Sequence, residues 1–143
     1  MTCTNDMNAA KPLPALRVTL PIPPSLNNRM FVKNNRMILS EKYRTWKKLA
    51  VLSIMDQRKE THPMSAGIEK FKSYEVDIHI CFGDRRSRDI DNYIKPGLDV
   101  LTEALVWKDD SLADIVRIER SRNGTRVDTY DINVFPITED PPF

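Results

Sequence analysis

Val76-Asp77-Ile78-His79-Ile80-Cys81-Phe82 runs through Gly83 into a basic stretch and then Arg88-Asp89-Ile90-Asp91-Asn92-Tyr93-Ile94-Lys95-Pro96. The first stretch alternates apolar and polar residues, the period-two signature of a strand. The second opens a helix, because Ile94, Leu98, Leu101 and Leu105 recur on one helical face. Proline has no amide to donate, so Pro96 belongs in the first turn and the regular helix starts near Asn92 to Ile94. The helix ends before Trp107. A strand that gives way to a loop and a helix is where a scaffold can fix reactive side chains while solvent still reaches them.

Working outward, Leu16, Val18, Leu20 and Ile22 alternate with Arg17, Thr19 and Pro21, a strand with one buried face that Pro23-Pro24 ends. Met30 to Val32 and Met37 to Leu39 flank Lys33-Asn34-Asn35-Arg36, a hairpin in which asparagine tolerates the left-handed turn. Ser40 caps a helix to about Arg58, with Tyr43, Trp46, Ala50 and Ile54 on its apolar stripe and Leu49 and Leu52 widening it. Ile115 to Glu119 and Thr129 to Phe135 read as strands joined at Asn123-Gly124, a dipeptide preferred in tight hairpins. The order strand, hairpin, helix, strand, helix, two strands predicts an α+β fold: a two-layer domain, a mixed β-sheet packed against two main helices. Residues 16–135 form that domain, with a flexible leader over 1–15 and a flexible tail over 136–143.

The chain has 143 residues, 41% hydrophobic, enough for one domain with a sizeable core. No apolar run approaches the ~20 residues that span a bilayer. The expected location is cytoplasmic, and no membrane partner is expected. Two cysteines, Cys3 and Cys81, make no disulfide framework and no zinc pattern. His79, on the polar side of its strand, reads as a surface residue, and Trp46 and Trp107 as core or interface anchors. The net charge of +2 says little about partners, but its distribution says more. Basic residues crowd between Arg29 and Lys48, again at Arg85, Arg86 and Arg88, and again from Arg117 to Arg126. Basic patches around an acidic centre suit a polyanion whose phosphate must approach a metal.

The acidic centre is Asp89 and Asp91, with Asp109 and Asp110 returning in Trp107-Lys108-Asp109-Asp110. Gathered carboxylates oppose folding unless a cation compensates them. Oxygen ligands with no cysteine or histidine among them point to Mg²⁺, with Mn²⁺ as a substitute, rather than zinc. In extended backbone Asp89 and Asp91 would share a face, close enough to hold one cation. Lys95, one turn beyond Asp91, can meet charge developing on a phosphate; the bland alternative is a surface Asp91–Lys95 ion pair. Whether Asp110 joins them depends on how the chain runs after the helix, which the sequence leaves open.

The compound pattern Arg88-Asp89-x-Asp91-Asn92-x-x-Lys95, Leu98-Asp99-Val100-Leu101 and Trp107-x-Asp109-Asp110 resembles the signature of the RusA-type Holliday junction resolvases. Leu20-Pro21-Ile22-Pro23-Pro24-Ser25-Leu26-Asn27-Asn28-Arg29 and Ser40-x-x-Tyr43-x-x-Trp46 resemble that family's N-terminal segment, so the likeness covers about Val18 to Val134. It implies a bacterial or phage-encoded homodimer that binds a four-way DNA junction and makes paired, symmetric nicks with Mg²⁺. Nicking would leave 5′-phosphate and 3′-hydroxyl ends. By position, the catalytic and metal-binding carboxylates fall on Asp89, Asp91 and Asp110, the catalytic lysine on Lys95, and Asp109 is a further metal candidate. Candidate DNA contacts are Asn28, Arg29, Phe31, Lys33, Arg36, Arg85, Arg86, Arg88 and Asn92, with Phe31 a wedge for the junction centre. The competing readings are a non-catalytic junction-binding accessory protein, or a nuclease with the same centre acting on flaps or RNA.

Overall fold

The computed structural model describes residues 13–25, 29–60, 67–84, 86–122 and 127–137. Its elements run β1 (Leu16–Leu20), β2 (Met30–Lys33), β3 (Arg36–Leu39), α1 (Glu41–Glu60), β4 (Tyr74–Phe82), α2 (Ile94–Glu103), β5 (Ala113–Arg122) and β6 (Thr129–Pro136). The four long strands form a sheet in the order β1-β6-β4-β5, and β2 and β3 form a separate hairpin. β4 pairs antiparallel with β6 and parallel with β5, so the sheet is mixed. A parallel pair needs a crossover, and α2 supplies it. With two helices beside it the fold is α+β, as the order of elements predicts.

The expected hairpin between the last two strands does not form, since β4 lies between β5 and β6. Asn123 and Gly124, on which that expectation rested, lie outside the described residues, as do residues 1–12 of the expected leader and 138–143 of the tail. The first hairpin does form: Met30 pairs with Leu39 and Lys33 with Arg36, with Asn34 and Asn35 at φ of 52° and 60°. Both central residues in the left-handed region is what a two-residue turn with native strand twist requires.

Ser40 caps α1, its Oγ accepting from the Tyr43 amide at 3.1 Å. Tyr43, Trp46, Ala50 and Ile54 are buried in a core with Leu16, Val18 and Leu20. Each such large apolar side chain withdrawn from water contributes roughly 1.5–3 kcal/mol. Trp46 Nε1 donates to the Pro21 carbonyl at 2.8 Å, tying the helix to the end of β1. Gln57 covers the free edge of that strand, accepting from the Thr19 amide at 2.8 Å and donating to its carbonyl at 2.9 Å. Occupying the open backbone groups at Thr19 blunts that edge as a template for another chain.

Two expectations fail on position. Leu49 and Leu52 do not widen the buried stripe; they are 56% and 60% exposed on the opposite face of α1. His79 is not at the surface but 1% exposed, its Nε2 3.1 Å from Ser121 Oγ. β4 is an inner strand, and neighbours on both sides shelter even its polar-facing residues. That second face is a cross-strand polar network: Arg17 Nε donates to Asn133 Oδ1 at 3.0 Å, and Thr19 Oγ1 to Asp131 Oδ1 at 2.7 Å.

Candidate active site

β4 delivers the chain to a loop that Arg88 folds tight. Its guanidinium grips Asp84 through both nitrogens, at 2.5 and 2.9 Å, and lies 4.3 Å over the Phe82 ring. Planar two-point pairing of this kind is geometrically demanding and strong. It holds the Asp84 carboxyl well below the usual range and raises the Arg88 guanidinium above its own. Arg120 on β5 donates to the Arg88 carbonyl at 2.7 Å, fixing the loop backbone to the sheet.

From here the backbone does not stay extended, as the shared-face expectation for Asp89 and Asp91 required. Asp89 is extended, but Asp91 sits in a 3₁₀ turn over Ile90–Tyr93, so no period-two alternation relates them. Asn92 donates its amide to the Asp89 carbonyl at 3.2 Å, which closes that turn. Tyr93 packs inward, its ring 5.5 Å from Phe82, and Tyr130 donates its hydroxyl to the Tyr93 carbonyl. Burial pushes the Tyr130 phenol up, which keeps it a neutral donor. The result is a rigid pedestal with both aspartates left on its solvent side.

α2 then begins at Ile94, with Pro96 in its first turn as expected, and runs for 10 residues, about 15 Å. It ends in a Schellman turn: the Val106 amide reaches the Leu101 carbonyl at 3.0 Å, and the Leu105 amide reaches Thr102 at 3.1 Å. Leu105 occupies the left-handed position at φ 60° and is 66% exposed, so it leaves the buried helical face that its spacing predicts. The turn reverses the chain. Trp107, 1% exposed, anchors the return by donating to Thr102 Oγ1 at 2.6 Å and packing edge-on to Tyr74.

That return brings the second half of the motif back. Lys95 Nζ lies 2.7 Å from Asp110 Oδ2 and 3.0 Å from Asp99 Oδ1. The Asp110 and Asp99 carboxylates hold its pKa far above the ordinary lysine value, so Lys95 is a fixed cation and not a base near neutrality. The ion pair with Asp91 is replaced by these two. Asp99 is the residue that sequence reasoning passed over, although the Lys95-x-x-x-Asp99 spacing carried its signal. Asp84 was missed likewise, its signal being the same spacing to Arg88. Asp109 is exposed and takes a hydrogen bond from Ser111 Oγ at 2.5 Å, which lowers its pKa.

Asp89 and Asp91 are exposed, and among the described residues neither forms an ion pair. No three acidic, histidine or cysteine side chains among those residues lie close enough to enclose a metal. The geometry therefore joins Lys95, Asp99 and Asp110 in one ion-pair group, in which, among the described residues, neither Asp89 nor Asp91 takes part. The donor set still suits a hard divalent cation, since Mg²⁺ needs only one or two protein carboxylates and keeps several waters.

The candidate DNA contacts divide. Arg29 is buried, donating to the Pro24 carbonyl at 2.7 Å with the Tyr43 and Tyr93 rings 5.9 and 5.6 Å away. Burial lowers its pKa against the opposing effect of those tyrosines. It fastens the N-terminal segment to the pedestal and is not presented to a ligand. Arg88 is occupied by Asp84, and Asn92 is part of the 3₁₀ turn. Phe31, Lys33 and Arg36 lie exposed together on one face of the hairpin, and Arg86 is exposed beside a cleft of about 410 Å³. Pro23, Pro24, Lys42, Arg86, Tyr93 and Asp128 are among the residues lining that cleft. Asn28 and Arg85 lie outside the described residues.

An endonuclease is the class of protein to which such a platform of exposed carboxylates, fixed lysine and cationic cleft corresponds. The family model described as endodeoxyribonuclease RusA matches residues 21–130, and the chain belongs to that family. It is therefore a hydrolase of the Holliday junction endodeoxyribonuclease family. No curated protein matches the chain.

Proposed function

We propose that the protein resolves four-way DNA junctions as a homodimer, hydrolysing one phosphodiester in each of two equivalent strands with Mg²⁺, or Mn²⁺ in its place. What carries this reading is the 2.7 Å approach of Lys95 to Asp110. It unites two parts of the motif 15 residues apart at the end of α2 that also bears Asp89 and Asp91. A two-fold enzyme suits a junction with two equivalent strands to cut.

Asp89 and Asp91, open to solvent on the pedestal, would hold the metal, with Asp110 and Asp109 the further carboxylates at hand. When bound, the metal polarises the phosphate and lowers the pKa of an attacking water. Lys95 supplies permanent positive charge for the extra negative charge of the transition state. Asp99 and Asp110 orient its ammonium and keep it protonated. Lys42 and Arg86 at the cleft, with Lys33 and Arg36 on the hairpin, contact backbone phosphates, and Phe31 unstacks bases at the crossover. Such a phosphate-dominated interface makes binding fall steeply with salt. The location that fits this work is the bacterial cytoplasm, with the gene of host or prophage origin.

The test is a labelled four-way junction incubated with protein and Mg²⁺, beside an Asp91→Asn variant. Symmetric nicks from the wild type, and binding without cleavage by the variant, are expected. Equal cleavage of linear duplex would transfer the activity to another substrate. Cleavage by the variant would remove Asp91 from the chemistry.

A further inference from the structure

α1 buries one face and leaves the other bare. At about 100° per residue, Lys48, Leu49, Met55 and Asp56 all fall within about 60° of Leu52, opposite the buried Tyr43, Ala50 and Ile54. Leu49, Leu52 and Met55 are 56%, 60% and 41% exposed, three large apolar side chains in two turns. Lys48 and Asp56 are exposed too, and neither is ion-paired among the described residues. On one flank of this stripe lies an open groove of about 520 Å³, lined by Arg44, Lys47, Lys48, Val51, Leu52 and Glu103. Contiguous exposed apolar surface of this kind marks an interaction site.

The stripe is symmetric about Leu52. Lys48 and Asp56 stand four residues to either side of it, and Leu49 and Met55 three residues to either side. We infer that α1 is the dimer contact: two copies pack their α1 helices antiparallel across a two-fold axis at Leu52. In that arrangement Leu52 meets its own counterpart. Leu49 of one copy stands level with Met55 of the other, and Lys48 of one copy stands level with Asp56 of the other. Each charge therefore finds an opposite charge twice over, the self-complementarity that an isologous contact requires. Met55 lies on the groove side of the stripe, so the groove can accept a side chain from the second helix. Arg44, Lys47 and Lys48 border the groove, with Lys47 already paired to Glu103, but the stripe itself carries Asp56 and three apolar side chains, which suit a second helix better than a polyanion.

This inference rests on the homodimer reading above and adds the surface that makes it. The experiment is the molar mass of the full chain in solution by light scattering, for wild type, Leu52→Glu, Lys48→Glu, Asp56→Lys and the Lys48→Glu/Asp56→Lys double variant. Circular dichroism confirms that each is folded, which these exposed positions should allow. Expected are a wild-type dimer, a Leu52→Glu monomer, about tenfold weaker association for each single charge reversal, and recovery in the double variant. A wild-type dimer that Leu52→Glu leaves intact overturns the α1 contact while sparing the homodimer. A monomeric wild type overturns both. Charge reversals that change junction binding but not mass assign this face to DNA and overturn the inference.

Discussion

The two ends of α2 are built from opposite materials. At its N-terminal end stand Asp89 and Asp91, both exposed, and Lys95, whose side chain is 67% exposed. At its C-terminal end Leu101, Val106 and Trp107 are no more than 1% exposed, and a Schellman turn satisfies the last carbonyls. The charged end is held from the strand side by the Asp84–Arg88 pair and by Tyr93 packing on Phe82, while the packed end reverses the chain and sets Asp110 beside Lys95. Chemistry and stability are thus separable along one short helix, and substitutions at the two ends should fail in different assays.

The largest effect belongs to the charged end. Asp91→Asn keeps shape and removes charge, so junction cleavage should fall on the order of 10³-fold, the scale of several kcal/mol of transition-state stabilisation. The melting temperature should stay within about 1 °C, because an exposed carboxylate without an ion pair contributes little to folding. Calorimetry and single-turnover cleavage on the same sample decide it. A large melting shift would show that the pedestal depends on this carboxylate and would erase the distinction between the ends.

Trp107→Ala should do the reverse. Removing a buried indole, its hydrogen bond to Thr102 and its edge contact with Tyr74 should cost about 3–5 kcal/mol of stability. Residual cleavage should follow the folded fraction in a denaturant titration. Full activity in a protein that has lost that stability would mean Asp110 is placed by something other than the return through Trp107.

Gly97→Ala tests where the ends join. A Cβ at Gly97 would come within 2.5 Å of the Tyr130 hydroxyl and 3.1 Å of Ile132 Cδ1. Tyr130 is fully buried and holds the Tyr93 carbonyl, so it has little room to yield. Overpacking of about 1–3 kcal/mol is expected, together with reduced cleavage as the pedestal shifts. Gly97→Ala combined with Tyr130→Phe should recover part of the stability, which chemical denaturation can measure.

What the sequence made legible follows from what each signal encodes. Period-two alternation marked β1 and β4, and Ser40 marked the start of α1, because these are local consequences of backbone geometry. The family motif marked Asp89, Asp91, Lys95 and Asp110 as residue types in order. It did not carry their spacing in space, which depends on a ten-residue helix and a left-handed leucine that no local rule favours. Asn123-Gly124 misled because a turn dipeptide says where a chain bends, not which strand lies alongside. His79 misled because alternation reports two faces but not whether the second is covered. A sequence likewise shows charge, whereas the structure shows which partners already engage it, as the Tyr43 and Tyr93 rings engage Arg29 and the Asp84 carboxylate engages Arg88.

The smallest expected effect is a gain, and it bears on the packed end. Leu105 holds the left-handed position of the Schellman turn at φ 60°, where a Cβ costs roughly 1 kcal/mol and glycine costs nothing. Its side chain is 66% exposed, so little burial is lost on removing it. Glycine also loosens the unfolded chain, which offsets part of the gain. Leu105→Gly should therefore raise stability by about 0.5–1 kcal/mol and the melting temperature by about 2–4 °C. Leu105→Ala keeps the strained Cβ and should give no gain. Stabilisation by glycine alone assigns the effect to backbone strain in a turn whose hydrogen bonds to Leu101 and Thr102 hold it shut. Destabilisation by both would mean that the leucine side chain is covered in solution. The packed end would then extend beyond this chain's own core.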